Sequence, residues 1–357
     1  MGTSVRYDGA WRRISGGDPP RGGAPIDPDG PLDIPFSGGP LSDYVRNPTA
    51  FIDPLAMSPG CRIPTEALEV LTPAQARTRA MNTGRLDGVL INSRLQMNEP
   101  FWGDVVGEDI VIYGDAAIGA TDGSTVGTGY GIEAWWSSSS VLPPAGKRPH
   151  FKHITILGKA AQPGYVFNAS ANPYTQRGII GGPIRLSGVL VRGCGASALL
   201  HTRDVLIERF RFMDYTRGSG TSHVGGMQVT HANGTAIFRD GHISGYFGPN
   251  AGFNAEVGQH IGSACIQNGS TLQTQINRML FENVALSGGS YGIIGPSGWR
   301  GGVTPPSDGL VSDSGWAALR HCKSLRDHRE SGVAAAGNLG EFDMDETNVY
   351  ADNGAPW

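Results

Sequence analysis

The chain has 357 residues, a formal net charge of −4 and a pI of about 6.1, a balance that gives no attraction to nucleic acid or to an anionic membrane surface. Its 54 glycines are about twice the usual share, which argues against a helix bundle because glycine weakens helix interiors. Since 39% of the residues are hydrophobic, disorder is disfavoured too, and the composition indicates a β-rich protein with many tight turns.

Residues 1–15 form the first predicted element. Val5 and Tyr7 alternate with polar neighbours, Asp8-Gly9 supplies a turn, and Trp11 follows, a pattern typical of a β-hairpin. A lone hairpin is marginal in water. We therefore expect Trp11 to anchor it against another surface and the hairpin to serve in attachment.

Residues 16–64 are rich in proline and glycine, holding eleven of the 24 prolines, and this composition excludes both a helix and a sheet. The segment is either a linker or an extended arm that lies on a neighbouring subunit. Its spaced aromatic residues, Phe36, Tyr44 and Phe51, are the expected anchors of such an arm.

A capping helix is predicted within residues 65–85. Thr72 and Gln75 fit a capping box, Pro73 fits the first helical position, and Gly84 can end the helix. The pattern predicts a helix over 73–82 that closes the end of the β region that follows.

From 86 to 294 the chain shows short apolar β runs separated by glycine, asparagine or aspartate. Their irregular spacing favours a solenoid over a sandwich or barrel, which would show steadier hairpin turns. We predict an all-β fold, a right-handed parallel β-helix, and treat 295–357 as a far-end cap and tail. The residues predicted to point inward are Val89, Ile91, Ile110, Ile112, Ile154, Ile156, Leu190, Leu206, Ile237, Ile243 and Leu286.

The sequence offers few residues that could form a catalytic site for cleaving glycans. Glycosidases need paired carboxylates, and the weak candidates are Asp204, Glu208, Asp240 and Glu282. Asp204 and Glu208 would be roughly 13 Å apart along one strand, while a pair from adjacent coils would be closer, but spacing alone does not align the coils. Arginines such as Arg203, Arg209 and Arg211 are expected to be surface charges.

No cofactor or metal site is predicted. The histidines lack metal-binding spacing, there is no acidic calcium loop, and no P-loop or dinucleotide motif occurs. The four cysteines are far apart, so we expect buried thiols. We expect no signal peptide, since residues 2–15 are mostly polar and charged, and no apolar run approaches the about 18 residues that cross a membrane.

Three tryptophans in early loops are candidates for stacking on sugar rings or for filling a subunit interface: Trp102, Trp135 and Trp136. Packing in the core is the equally weighted alternative.

The first element resembles a short V-R-x-x-G-x-W-R-x-I/V motif of minor tail proteins from actinobacterial tailed phages. The matching residues are Val5, Arg6, Gly9, Trp11, Arg12 and Ile14. The coil region resembles the pectate-lyase-like β-helices of phage tailspikes and tail-tip proteins. This resemblance implies a virion protein, whereas the absence of an evident carboxylate cluster departs from the spikes that are depolymerases.

We therefore expect a structural protein of a phage tail tip or baseplate, located in the virion. Its expected partners are other tail proteins, further copies of itself in a trimer, and a host cell-surface glycan. The first alternative is a tailspike lyase or hydrolase that cleaves that glycan. The second is a non-viral secreted polysaccharide lyase, which the expected lack of a signal peptide disfavours.

Overall fold

The computed structural model describes the parts of the chain that form the elements below. The described residues are 4–7, 10–13, 68–114, 129–135, 141–162, 177–202, 205–217, 225–232, 235–252, 255–256, 258–268, 278–294, 317–324, 328–329, 342–344, 346–350 and 354–357. The predicted proline-rich arm, with Phe36, Tyr44 and Phe51, lies outside them.

The N-terminal hairpin is confirmed as an antiparallel strand pair. Strand β1 (Ser4–Tyr7) pairs with β2 (Ala10–Arg13), and Tyr7 lies opposite Ala10. Trp11 lies opposite Arg6 in this register. The two strands form a sheet of their own.

Helix α1 (Pro73–Thr83) confirms the predicted capping box. The Gln75 amide donates to Thr72 Oγ1 at 3.3 Å, and the Thr72 amide donates to Gln75 Oε1 at 2.8 Å. The helix ends at Gly84, whose φ of 65° is readily adopted by glycine. Ala76 and Ala80 are buried, which fixes the helix face that meets the core.

The rest of the described fold is two parallel sheets between which the chain alternates. The larger holds twelve strands: β3 (Glu69–Leu71), β4 (Val89–Ile91), β6 (Val106–Tyr113), β8 (His150–Leu157), β10 (Ile184–Arg192), β12 (Val205–Met213), β15 (Thr235–Gly245), β18 (Arg278–Gly288), β20 (Ala317–Arg320), β21 (Lys323–Ser324), β22 (Phe342–Met344) and β23 (Val349–Tyr350). The smaller holds seven: β5 (Leu95–Met97), β7 (Tyr130–Ala134), β9 (Arg177–Gly181), β11 (Ala196–Thr202), β14 (Met227–Ala232), β17 (Ala264–Asn268) and β19 (Tyr291–Ile294). A short side pair joins β13 (Tyr215–Arg217) to β16 (Phe247–Gly252).

Strand order in both sheets follows the chain, and the pairs between described strands of these sheets are parallel. An all-β parallel fold is therefore confirmed, and an antiparallel sandwich is excluded for these strands. Helix α1 contacts β3 and β5, which are the N-terminal edge strands of the two sheets. The larger sheet also continues past residue 294 through β20 and β22.

The core lies between the two sheets and takes alternate residues from each strand. Eight of the eleven residues predicted to point inward belong to it: Val89, Ile91, Ile110, Ile112, Ile154, Ile156, Ile243 and Leu286. Leu206 and Ile237 are only half-buried, because their neighbours Val205 and Ala236 occupy the inward positions. Leu190 is buried but outside this core cluster. In each of these strands two apolar residues stand side by side near the start, Val205-Leu206 and Ala236-Ile237, so the sequence pattern alone does not show which of the two faces inward.

Six long strands of the larger sheet contain a left-handed residue in their interior, and a seventh such residue lies between β20 and β21; we call each of these residues the step. The steps are Asp109, His153, Gly188, Arg209, Asp240, Asn283 and His321, with φ between 51° and 66°. Regular pairing is interrupted at the step, so that Glu108 pairs with Lys152 and the next pair is Ile110 with Ile154. Asp, Asn, His and Gly tolerate this conformation better than most residues. The steps therefore lie side by side from strand to strand.

Candidate functional site

A row of mostly charged side chains crosses the larger sheet directly before the steps. Its members, called here the charge row, lie opposite one another in register: Glu108, Lys152, Ser187, Glu208, Arg239, Glu282 and Arg320. Neighbouring strands are about 4.8 Å apart, so adjacent members are within reach of ion pairing. The preceding residues Ile207, Phe238 and Phe281 are in the core, which places the charge row on the face turned away from it.

Arginines neutralise the carboxylates in the later part of the row. Glu208 is 3.2 Å from an Arg185 nitrogen and 3.5 Å from Arg239. Arg239 Nε also donates to Glu282 Oε2 at 2.7 Å. Arg239 thus bridges two carboxylates from the strands on either side.

Three of the four weak catalytic candidates meet at this place, namely Glu208, Asp240 and Glu282. Asp204, the fourth, lies outside the described residues. The register thus supplies the alignment between repeats that the spacing of residues in the chain did not provide. Whether any of them is catalytic stays a prediction.

Asp240 has a different environment from the two glutamates. Burial raises the pKa of its carboxyl group, and the charges of Glu282 and Glu208 raise it further, while the hydrogen bond from Asn283 and the charge of Arg239 oppose the shift. Asn283 Nδ2 donates to Asp240 Oδ1 at 2.8 Å. Two carboxyl groups in different environments are the arrangement from which an enzyme draws a general acid and a general base.

The other end of the row carries a cluster that the sequence analysis missed. His153 Nδ1 is 3.2 Å from Glu108 Oε1 and 3.7 Å from Asp109 Oδ1. The three donor atoms lie within 4.8 Å of one another. Since Asp109 and His153 are the steps of neighbouring strands, the register alone brings them together.

A short sequence signal could have revealed this alignment. Each long strand carries a charged or polar residue, then its step, then an alternating run. The corresponding segments are EDIVI (108–112), KHITI (152–156), SGVLV (187–191), ERFRF (208–212), RDGHI (239–243) and ENVAL (282–286). Superposing the steps gives the observed register.

Two of the arginines expected to be surface charges are buried. Arg209 is 3% exposed and donates through Nε to Ser187 Oγ at 3.1 Å, and Arg211 is 2% exposed. That expectation was wrong for both, while Arg203 lies outside the described residues. Arg211 lies opposite His242 in register, and His242 Nε2 is 2.8 Å from Ser287 Oγ. Burial, and then the charge of Arg211, lower the pKa of His242 to about 3.

The structure places two of the candidate aromatic residues in the core. Trp102 is fully buried and stacks on Phe101 with ring centroids 5.1 Å apart, and Trp135 is also buried. Core packing, the alternative left open for these rings, explains them because neither presents a surface to a sugar or a partner. Trp136 and the side chain of Trp11 lie outside the described part of the chain.

The described cysteines are buried thiols, as expected. Cys194, Cys265 and Cys322 are free and buried, whereas Cys61 is outside the described residues. Burial raises the pKa of Cys194 to about 12, which leaves the thiol protonated and a poor nucleophile. In the described residues, none of the helices has the length and apolarity needed to cross a membrane.

Comparison of the chain with protein-family models, with curated proteins and with solved structures gave no match.

Proposed function

We propose that this chain is a structural protein of a phage tail tip or baseplate, a minor tail protein that attaches through residues 1–64 and displays a β-helix toward the host surface. The observation that carries the proposal is the pairing of the candidate catalytic carboxylates. Glu208 and Glu282 are held by arginines at 2.7–3.5 Å. A retaining or inverting glycosidase needs instead two carboxyl groups that face the sugar.

The fold in this proposal is a right-handed parallel β-helix. Supporting it, the chain passes repeatedly between the two parallel sheets from β4 to β20, and the order within each sheet follows the chain. About 98% of the connections between parallel strands of one sheet are right-handed. A solenoid of this kind is rigid along its length and suits a display element.

The attachment role rests on the N-terminal hairpin and on the motif it contains. β1 and β2 form a two-stranded sheet apart from the two large ones, and so small a sheet needs a further surface to be stable. In this proposal the surface belongs to neighbouring tail proteins, the chain forms a homotrimer, and its location is the virion.

A truncation tests the attachment role. Residues 65–357 retain β3 and all later strands, so the truncated protein should keep the β-type circular dichroism of the full chain. We expect it to be lost from purified particles when it replaces the full chain in the phage, because the attachment element is gone. A Trp11→Ala variant of the full chain should show a weaker form of the same defect.

Normal incorporation of the truncated protein would contradict attachment by residues 1–64, and absence of the full chain from purified virions would overturn the tail assignment. A stable monomer by mass measurement of the full chain would count against the trimer. Loss of the β signal on truncation would show that residues 1–64 belong to the fold.

A glycan-cleaving enzyme is the second candidate, because Asp240 combines a raised pKa with two nearby carboxylates. Its test is release of reducing or unsaturated sugar ends from bacterial surface polysaccharides by the full chain. For an enzyme, Asp240→Asn and Glu282→Gln would abolish release and Asp104→Asn, at an exposed carboxylate, would not. Our first proposal expects no release by any of these proteins.

A further inference from the structure

We propose that Glu108, Asp109 and His153 bind a divalent transition-metal ion of the zinc type. The site lies on neighbouring strands β6 and β8, at the end of the charge row remote from the arginine pairs. It is independent of the tail assignment, since it follows from the register of two strands.

The donor atoms have separations suited to one small cation. Bonds of about 2.0–2.2 Å to a tetrahedral zinc ion place its ligand atoms about 3.4 Å apart. His153 Nδ1 lies 3.2 Å from Glu108 Oε1 and 3.7 Å from Asp109 Oδ1, and all three atoms are within 4.8 Å of one another. The Glu108 side chain is 44% exposed, so its carboxylate has room to rotate and bring its oxygen closer to the Asp109 oxygen.

Backbone conformation directs two of the ligands to the same point. Asp109 and His153 are both left-handed, with φ of 59° and 52°. The strand on the far side of β8 contributes Gly188, where an added Cβ would lie 3.1 Å from His153 Cδ2. The lack of a side chain at Gly188 leaves room for the His153 ring, and the Gly188 backbone borders the ring on that side.

The site is closed on the protein side and open toward solvent. The side chain of Asp109 is 6% exposed, that of His153 is 17% exposed and that of Glu108 is the most accessible. A metal ion can therefore enter from solvent and keep water as a fourth ligand, an arrangement typical of zinc sites with three protein ligands.

By formal charge, Glu108 and Asp109 contribute two negative charges to the cluster and Lys152 one positive charge beside it. Lys152 lies opposite Glu108 in register and is the nearest cation along the row. The negative charge of Glu108 also acts on Arg85, but the Arg85 guanidinium is paired with the Asp87 carboxylate at 2.7 Å. Asp87 in turn accepts a hydrogen bond from the Glu108 backbone amide. By contrast, an arginine separates the carboxylates of Glu208 and Glu282.

The donor set selects the class of metal. Two carboxylates and an imidazole suit zinc, cobalt, nickel, manganese or ferrous iron. Calcium prefers six to eight oxygen ligands, and cuprous ions prefer sulfur. We therefore assign the site to a zinc-type ion and use Zn²⁺ and Co²⁺ as the probes.

Titration of the full chain, prepared without a histidine tag, tests the site. Isothermal calorimetry with Zn²⁺ should show a site that is weakened at least about tenfold by His153→Gln and by Glu108→Gln. Co²⁺ bound there should give a visible absorption that both substitutions abolish, and Zn²⁺ should raise the melting temperature of the unsubstituted chain more than that of either variant.

His321→Gln is the matched control, because His321 is also a step residue but belongs to no three-donor cluster among the described residues. It should bind both ions like the unsubstituted chain. Glu108→Gln changes an accessible side chain, so it remains informative if His153→Gln fails to fold. Unchanged binding in Glu108→Gln, or no binding of Zn²⁺ or Co²⁺ by the unsubstituted chain, would overturn the proposal.

Discussion

The two ends of the charge row surround their carboxylates with different partners. At β6 and β8 the carboxylates of Glu108 and Asp109 face a histidine. At β12, β15 and β18 the carboxylates of Glu208 and Glu282 face arginines. Because parallel in-register strands place equivalent residues about 4.8 Å apart, the residue types at the row and step positions of adjacent strands decide which side chains surround each carboxylate.

The same contrast separates two histidines of the larger sheet. His153 lies beside two carboxylates, whereas His242 is buried beside Arg211 and Ser287. A neighbouring cation and burial both disfavour protonation. The arginine-rich region should therefore be sensitive to acid, and the following changes test that contrast in order of expected effect.

Arg192→Met should have the largest effect, a loss of about 3–5 kcal/mol in the free energy of unfolding, because it leaves a buried carboxylate without its partner. Arg192 Nε donates to Asp214 Oδ2 at 2.6 Å, and the Asp214 side chain is 4% exposed. Urea unfolding measures the change. Lys147→Met, in the exposed pair with Asp104, is the control and should change stability by less than about 1 kcal/mol; equal losses would contradict the role of burial.

His242 should make the folded state sensitive to acid. Its pKa in the folded chain is about 3 against 6.5 for the ordinary value, so below pH 6.5 the unfolded chain binds a proton that the folded chain refuses. Stability should fall as pH is lowered through this window, by about 1.4 kcal/mol per pH unit and about 2 kcal/mol at pH 5.

His242→Gln can keep a hydrogen bond to Ser287 but does not titrate, so its unfolding free energy should depend less on pH between about 6.5 and 4. His321→Gln, at an exposed histidine, should leave the acid dependence unchanged. Equal slopes for His242→Gln and the unsubstituted chain would show that other groups cause the acid sensitivity.

Arg239→Met removes the cation that lies between the carboxylates of Glu208 and Glu282. It leaves Glu208 and Glu282 without the guanidinium between them, although Glu208 keeps Arg185. Since these side chains are partly exposed, we expect a loss of about 1–2 kcal/mol. Adding Glu282→Gln should restore part of the loss in chemical denaturation, and no recovery would indicate that the effect is due to packing of the arginine stem.

Asp240→Asn should give the smallest change, a slight gain in stability near neutral pH. The raised pKa of Asp240 means that the folded chain binds its proton more tightly than the unfolded chain does. Ionisation therefore costs stability as pH rises above the ordinary aspartate pKa of about 3.9. Denaturation at acid and neutral pH should show the gain only at neutral pH, and a loss there would contradict this account.

Local chemistry was sufficient for the hairpin, the helix and most of the larger sheet. The Thr72 capping box and Gly84 define α1 through contacts within a few residues. The long strands carry valine, isoleucine and phenylalanine, which mark them clearly. The seven-stranded sheet was largely missed, because segments such as RGIIG (177–181) and ACIQN (264–268) are short and rich in small or polar residues.

The spacing of similar residues was a poor guide to their alignment. Phe210, Phe238 and Phe281 resemble one another in sequence, and Phe238 and Phe281 are register partners with ring centroids 5.0 Å apart. Phe210 instead lies opposite Gly241, where an added Cβ would be 2.1 Å from its ring. Loops of different length between strands shift such positions, so spacing along the chain does not report register.

The sequence by itself therefore determined the fold class, the helix with its caps, most strands of the larger sheet and the burial of the described cysteines, because propensity, capping and apolar runs act over a few residues. Only the tertiary structure decided which charges meet. Glu108 and His153, or Glu208 and Glu282, are separated by loops of unequal length, and they become neighbours because backbone hydrogen bonds between parallel strands set one register for the whole sheet.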